Sequence, residues 1–201
     1  MISQISSRQM TPEEYLAFEE KSDTKHEYIN GEVYAMSGTT DNHNTIALNM
    51  ALVLLTNLRG TGCRVHTSDV KVQPPVRNYY YPDVFVTCDP TDREDSLSKR
   101  FPKLIVEVLS DSTEAKDRGD KFIDYQLIES LEEYVLVNAK RERVEVFRRS
   151  SGGLWVLQAY QAKGEAEESN VVVELKSVGL EISLAELYED VQLKVESEPA
   201  S

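Results

Sequence analysis

The sequence predicts an α/β fold: a mixed central β-sheet flanked by helices, with an N-terminal helix and β-hairpin before it and a C-terminal antiparallel extension after it. An Asn-Gly pair between two short alternating segments indicates the hairpin. A long segment with apolar residues at helical spacing follows. Beyond it, short runs rich in valine, isoleucine and leucine surround a second helical stretch, an order typical of strands and helices packed in layers.

Length and composition predict one folded domain. The chain has 201 residues, of which 40% are hydrophobic and 28% are charged, and a chain of this size can bury a substantial core. We place the domain at residues 11–191, between a flexible N-terminus at residues 1–10 and a flexible C-terminal tail at residues 192–201.

Charge and targeting features narrow the class of protein. The 22 Lys and Arg residues against 35 Asp and Glu residues give a net charge of −13, which excludes a polycationic nucleic-acid coat or membrane-surface protein. No signal peptide or membrane-spanning segment is visible, so we expect a cytoplasmic location and no membrane partner. Cys63 and Cys88 form no Cys-x-x-Cys pair, so we expect neither a disulfide framework nor a zinc site, and a reducing compartment.

The N-terminal elements follow from capping and turn chemistry. Thr11, followed by proline and two glutamates, matches a capping box and predicts a helix over about residues 12–21. Asn30-Gly31 suits the positive φ angles of a two-residue turn, which predicts a hairpin of residues 26–29 and 32–35.

The middle of the chain predicts the core of the sheet. Residues 41–58 form the longest predicted helix, which Gly60 ends. Residues 63–67 and 69–73 are predicted to be extended, and Pro74-Pro75 ends them. Two more apolar strands follow at residues 83–88 and 103–109, and the second is typical of an inner strand covered on both faces.

The C-terminal half predicts one helix and then an antiparallel meander. Ser112 or Thr113 caps a helix over residues 114–128, in which Asp117, Lys121 and Tyr125 lie four apart on one face. Ser183 caps a last short helix that runs to about residue 190, and residues 165–169 form a charged loop. The predicted strands lie at residues 133–137, 143–149, 154–161 and 171–175.

Three ionisable residues, Asp83, Glu107 and Lys121, lie in or beside apolar segments, where a charge is costly unless it is paired or has a function. If the two strands are neighbours, the carboxylates converge on one hard cation, because Mg²⁺ (or Mn²⁺) takes oxygen ligands and retains waters for a phosphate substrate. Lys121 is then placed to orient a nucleophilic water or to stabilise the charge at phosphorus.

This order of residues resembles the PD-(D/E)xK nuclease superfamily. Pro82-Asp83 matches the first half of its motif, and Glu107 supplies the acid of the second half. Leu109 stands where the superfamily has lysine, and Lys121 on the following helix is the candidate for that lysine. Longer strings resemble the Uma-two family of restriction-endonuclease-like proteins over about residues 10–191: Asn30-Gly31-Glu32, Ser68-Asp69-Val70, Tyr81-Pro82-Asp83-Val84, residues 105–110, residues 117–121 and Glu133-Tyr134.

The resemblance implies a restriction-endonuclease-like fold and a metal-dependent endonuclease that hydrolyses phosphodiester bonds of DNA. It implies Asp83, Glu107 and Lys121 as catalytic residues, with Asp83 and Glu107 as metal ligands. The carbonyl of Val108 is a further candidate ligand and Glu32 a third acid. A homodimer is expected by analogy, because nucleases of this fold often cut two strands with two copies.

Each candidate residue also has a structural interpretation. Asp83 suits a turn after Pro82, and Glu107 suits a buried structural salt bridge. Lys121 suits an ordinary surface pair with Asp117 on the helix, and Lys71 is the alternative catalytic lysine. Glu32 follows a hairpin turn, where exposed acids are common, and a lone histidine such as His43 is more often structural than a ligand.

A second functional hypothesis is a catalytically inactive nuclease-like module that binds a partner or nucleic acid. Leu109 in place of lysine and the charge of −13 favour it, since Lys and Arg contacts to phosphate supply much of the affinity for DNA. Local basic clusters favour a positive groove instead, and they lie at Lys99, Arg100 and Lys103, at Lys116, Arg118 and Lys121, and at Lys140, Arg141, Arg143, Arg148 and Arg149.

Overall fold

The computed structural model describes residues 3–4, 9–162 and 171–193. The predicted loop at residues 165–169 and most of the predicted flexible ends lie outside them. The described helices are α1 (Pro12–Glu19), α2 (Asp41–Leu58), α3 (Glu114–Arg118), α4 (Asp120–Gln126) and α5 (Leu184–Leu187). The described strands are β1 (Ser3–Gln4), β2 (His26–Ile29), β3 (Glu32–Ala35), β4 (Arg64–Thr67), β5 (Lys71–Val72), β6 (Val84–Thr87), β7 (Ser98–Lys99), β8 (Pro102–Leu109), β9 (Glu133–Asn138), β10 (Arg143–Arg149), β11 (Trp155–Gln161), β12 (Val172–Leu175) and β13 (Leu180–Ser183).

A six-stranded sheet forms the centre of the fold, in the order β11-β10-β9-β8-β6-β4. Strands β8 and β9 are parallel, and the other neighbours are antiparallel. The predicted mixed central sheet flanked by helices is therefore confirmed. Strands β9, β10 and β11 form the predicted meander at one edge of it.

Strand β8 is buried on both faces, as its sequence predicts, because successive side chains point to opposite sides of a strand. Three of its side chains pack in the apolar cluster that includes α2, α5 and the β12–β13 hairpin: Leu104, Val106 and Val108. Two pack in the cluster that includes α4: Ile105 and Leu109. Glu107 lies between these two residues and therefore points toward α4.

The N-terminal elements form as predicted. The Thr11 hydroxyl accepts a hydrogen bond from the Glu14 N–H, and the Glu14 carboxylate accepts one from the Thr11 N–H, which completes the capping box. The hairpin turn places Asn30 at φ 51° and Gly31 at φ 93°, the left-handed region that this pair tolerates. Tyr28 of the hairpin pairs with Tyr79, so the hairpin is joined to the segment that leads into β6.

The prediction of one continuous helix over residues 114–128 is wrong. The chain leaves helical geometry at Gly119, which has φ −107° and ψ −114°, and α3 and α4 lie on either side of it. A Cβ atom at this position would lie 2.9 Å from the Ala115 carbonyl oxygen, so glycine allows the close approach. Thr113 takes the N-cap position of α3 without a side-chain capping bond, and its hydroxyl contacts the Ser110 hydroxyl at 3.0 Å instead.

The expectation about the cysteines is also wrong, because Cys63 and Cys88 form a disulfide with a Cα–Cα distance of 4.0 Å. Strands β4 and β6 are antiparallel, with Arg64 opposite Thr87. The next residue pair outward is Cys63 and Cys88, so the two side chains meet across the strands. The bond depends on strand register, which the spacing of two cysteines does not reveal.

The helices of the described part of the chain include none that is both long and apolar enough to cross a membrane.

Candidate active site

A cleft of about 440 Å³ opens between the N-terminal hairpin and the end of β8. Five of the ionisable side chains that line it come from five separate segments of the chain. They are Glu27 of β2, Asp83 before β6, Glu107 of β8, Asp117 of α3 and Lys121 of α4. The structure therefore brings the three predicted catalytic residues to one cavity.

Asp83 and Glu107 meet because β6 and β8 are antiparallel neighbours, with Val84 opposite Val106. The Asp83 N–H donates to Glu107 Oε2 at 3.4 Å, and the Val108 N–H donates to Asp83 Oδ2 at 2.7 Å. The Asp83 side chain is 17% exposed and that of Glu107 is 4% exposed. The carboxylate of Asp83 thus reaches the solvent of the cleft, while Glu107 lies beneath it.

Lys121 brings its ammonium group among three carboxylates. Its Nζ lies 2.9 Å from Glu107 Oε1, 3.1 Å from Glu27 Oε1 and 3.4 Å from Asp117 Oδ1. The Lys121 side chain is 8% exposed. The contact with Asp117 exists, but it is buried and shared with two other acids, so the interpretation of Lys121 as an ordinary surface pair does not describe it.

This buried group combines three carboxyl groups with one ammonium. Burial alone would lower the pKa of Lys121, but the charges of Glu107 and Glu27 outweigh it and raise that pKa well above its ordinary value. Burial raises the pKa of Glu107 well above its ordinary value, although the charge of Lys121 opposes the shift. Burial also raises the pKa of Asp117. Lys121 therefore stays an ammonium, while burial favours the neutral, protonated forms of Glu107 and Asp117.

His43 adds a contact on the Asp83 side of the cleft. It lies in the first turn of α2, and its Nε2 is 3.2 Å from Asp83 Oδ2. Burial alone would lower the pKa of His43, but the hydrogen bond and charge of Asp83 raise it overall. The sequence offered no spaced partner for this histidine, and the structure supplies one from a distant strand.

Glu27 is the site residue that sequence reasoning missed. It lies in the predicted hairpin, where its neighbours His26 and Tyr28 are also buried, so no alternation of polar and apolar residues distinguishes it. Its carboxylate accepts a hydrogen bond from the Tyr81 N–H at 3.4 Å in addition to the Lys121 contact.

Two other candidates lie outside the lining of the cleft. The Glu32 carboxylate accepts a hydrogen bond from the Tyr34 hydroxyl, beside the hairpin turn. Lys71 is buried, and its Nζ donates to the Tyr81 hydroxyl at 3.0 Å. Of the two predicted lysines, Lys121 is therefore the one beside Glu107.

The donor chemistry of the cleft fits a divalent cation bound through few protein ligands. Within residues 3–4, 9–162 and 171–193, no three His, Cys, Asp or Glu side chains are arranged to hold a metal ion. Mg²⁺ nevertheless binds through one or two carboxylates and fills its shell with water and phosphate oxygens. Asp83 and Glu107 supply two such carboxylates at the cleft. Val108, whose carbonyl is the other predicted ligand, is not among the residues described as lining it.

Most of the predicted basic clusters bind acceptors within the chain rather than forming a groove. Two arginines, Arg118 and Arg143, bind Glu145, and Arg148 binds Glu133. Lys99 donates to backbone carbonyls. The basic residues at the rim of the cleft are Lys25, whose Nζ lies 2.6 Å from Asp69, and Lys116, whose Nζ lies 4.0 Å from the Tyr34 ring centroid.

Comparisons with known proteins show the family and the fold of this chain. Residues 12–185 match the model of the Uma2 family, described as "Putative restriction endonuclease". Two Synechocystis sp. (strain PCC 6803) proteins are similar: "Uncharacterized protein slr1290" is 39% identical, covering 89% of this chain and 91% of its own length. "Uncharacterized protein sll1609" is 31% identical, and the match covers 78% of this chain and 90% of that protein.

A solved structure shares the fold. It is the crystal structure of "a putative nuclease belonging to DUF820" from Anabaena variabilis, which superimposes with a TM-score of 0.65. The aligned region covers 89% of this chain and 97% of that structure at 16% sequence identity. Similarity at this level of identity supports the fold, and activity has to be argued from the site.

Proposed function

The chain belongs to the Uma2 family, and from that premise we propose that it is a metal-dependent endonuclease that hydrolyses phosphodiester bonds of DNA at the cleft. The observation that carries the proposal is the buried Lys121 ammonium, 2.9 Å from Glu107, whose carboxylate also accepts a hydrogen bond from the Asp83 N–H. An acid pair with a lysine is the constellation that its resemblance to PD-(D/E)xK nucleases implies.

Asp83, Glu107 and the Val108 carbonyl are the groups that would hold Mg²⁺ or Mn²⁺. When bound, such an ion polarises a phosphoryl oxygen and lowers the pKa of a coordinated water. The surrounding residues keep the two carboxylates in place. The Val108 N–H holds Asp83 at 2.7 Å and His43 approaches it at 3.2 Å, while the Tyr125 hydroxyl donates to Glu107 at 3.3 Å.

Lys121 is the group that we assign to the attacking water and to the negative charge that develops on the phosphate. Its raised pKa keeps it a hydrogen-bond donor at neutral pH. Glu27 and Asp117 hold the ammonium at 3.1 and 3.4 Å, and so position it beside Glu107. A preorganised cation in a buried site stabilises developing charge more strongly than one in water.

We assign Lys25 and Lys116 to the phosphates that flank the scissile bond. Both line the cleft: Lys25 precedes β2, and Lys116 lies in α3. On DNA binding, Lys25 would exchange its contact with Asp69 for a phosphate, and Lys116 would turn from the Tyr34 ring to another.

The experiment follows metal binding and cleavage of plasmid and single-stranded DNA in the same samples, for wild type, Asp83→Asn and Glu107→Gln. Glu133→Gln is the matched control, because Glu133 is a buried acid that binds Arg148 and Ser177 outside the cleft. We expect Asp83→Asn and Glu107→Gln to lose both metal binding and DNA cleavage, and Glu133→Gln to keep both. Metal binding and cleavage that survive in Asp83→Asn and Glu107→Gln would refute the assignment.

The two candidate lysines provide a second comparison. Lys121→Met and Lys71→Met each remove one buried ammonium. We expect only Lys121→Met to abolish cleavage, with DNA binding retained. DNA binding without any cleavage by the wild type would favour the inactive module instead, for which the net charge of −13 is the supporting observation.

A further inference from the structure

Strand β11 is an edge of the six-stranded sheet. It pairs with β10 along all seven of its residues, from Arg149 opposite Trp155 to Arg143 opposite Gln161. Within the described part of the chain, no strand pairs with its other side. The outward N–H and C=O groups of β11 thus form a row that another strand can pair with.

This edge lacks the features that usually prevent pairing. The sequence of β11, WVLQAYQ, contains no charged residue and no proline, although the chain carries a net charge of −13. Edge strands are commonly protected by charged side chains, proline or a short length. The opposite edge, β4, is protected in this way: it has four residues, and one of them is Arg64.

Apolar side chains are exposed on both faces of β11. Val156 is 57% exposed and Leu157 is 50% exposed, and adjacent residues of a strand point to opposite faces. Leu154, just before the strand, is 72% exposed. The strand therefore offers apolar contacts above and below the sheet as well as backbone groups at its edge.

We propose that β11 is the surface at which a second copy of this chain pairs, with the two β11 strands antiparallel about a two-fold axis and the two sheets joined into one. The strand itself selects this occupant. An antiparallel pair of two β11 strands sets seven uncharged residues of each copy against the other, so the contact buries no charged side chain of either strand. A strongly charged partner would find no opposite charge on this strand.

The two-fold symmetry also fixes the register. An antiparallel pair that uses all seven residues places Gln158 on the axis, at the centre of the strand. Leu157 then lies opposite Ala159 of the partner subunit, and Val156 lies opposite Tyr160 of the partner subunit. These are apolar cross-strand pairs, the kind that stabilises antiparallel sheets.

The interface is small, so the dimer should be weak. One strand pair buries less than the roughly 1,600 Å² of a standard protein interface. We therefore expect association over about 1 to 200 µM, the range of weak interfaces. This inference does not depend on the proposed nuclease activity.

Sedimentation equilibrium over that concentration range tests the proposal with wild type, Leu157→Lys and Leu52→Lys. Leu52 is the matched control, because it is an exposed leucine on α2 and is 64% exposed. We expect wild type and Leu52→Lys to dimerise and Leu157→Lys to stay monomeric. A monomeric wild type, or equal effects of the two substitutions, would overturn the proposal.

A charge-pair experiment tests the register. Ala159→Glu alone should weaken self-association, as Leu157→Lys does. An equimolar mixture of Leu157→Lys and Ala159→Glu should associate more tightly than either variant alone, because the lysine of one copy then faces the glutamate of the other. A mixture no tighter than the separate variants would overturn the two-fold pairing.

Discussion

Lys121→Met should destabilise the protein in a way that depends on pH. Methionine is a long unbranched side chain without charge, so the change removes the ammonium while filling much of its space. Three carboxylate groups within 3.4 Å then lose their shared cation: Glu107, Glu27 and Asp117. The experiment is done in EDTA, so that no divalent ion replaces the missing charge.

The size of the effect follows from burial. Removing one partner of a buried ion pair costs about 3–5 kcal/mol, because it leaves an uncompensated charge. Here a carboxyl group can take up a proton instead, which limits the loss. We therefore expect a decrease of about 3 kcal/mol in the free energy of unfolding at about pH 8.

The pH dependence follows from Glu107. Burial raises its pKa in the folded protein, and the charge of Lys121 opposes that rise. A carboxyl whose pKa is higher in the folded state contributes stability below its unfolded pKa and loses it as the pH rises through the folded value. Without Lys121 the folded pKa of Glu107 rises further, so the variant loses more stability on the alkaline side than wild type does.

Urea unfolding at about pH 5 and about pH 8 measures this difference. Lys71→Met is the control: Lys71 is also buried, but burial lowers its pKa and its described hydrogen bond goes to the neutral Tyr81 hydroxyl. Lys71→Met should therefore lower the free energy of unfolding by less than Lys121→Met does. The double variant Glu107→Gln, Lys121→Met should lose less free energy of unfolding than Lys121→Met alone. The reasoning would be refuted if Lys121→Met lost the same stability at both pH values, or no more stability than Lys71→Met loses.

Three further outcomes are expected. Reduction of the Cys63–Cys88 bond, which spans 25 residues of chain, should lower the free energy of unfolding by about 3 kcal/mol, measured by urea unfolding with and without dithiothreitol. Thr11→Ala should cost about 1 kcal/mol in the same assay, because it removes the capping box of α1. If Lys25 and Lys116 make the main phosphate contacts, the logarithm of the DNA-binding constant should fall with log salt at a slope of about −2; a slope steeper than about −5 would show that other basic residues take part.

The fold was predictable where local sequence decides the structure. The hairpin follows from Asn30-Gly31, whose φ angles of 51° and 93° are those that the pair permits. Helix α2 follows from the spacing of its apolar residues, and it runs from Asp41 to Leu58. Strand β8 was predicted to be covered on both faces, and the two apolar clusters lie on its two sides.

The sequence did not predict features that depend on contacts between segments far apart in the chain. The disulfide depends on the register of β4 against β6. The choice between Glu27 and Glu32 depends on how the hairpin docks. Both acids lie on the same face of the hairpin, since Glu27 pairs with Tyr34 and Glu32 with Ile29. Glu32 lies next to the turn, opposite Ile29. Glu27 lies on β2, two residues farther from the turn than Ile29, where this face contacts Lys121.

Lys121 reaches Glu107 from a helix, whereas the strand motif of the superfamily would place its lysine at position 109. Leu109 lies two residues after Glu107 and therefore points to the same face of β8, where it packs in the cluster that includes α4. Lys121 projects from α4 onto that face and reaches Glu107 at 2.9 Å. The strand thus supplies an apolar contact at this position, and the helix supplies the charge. The leucine at position 109 therefore does not, by itself, favour the inactive module.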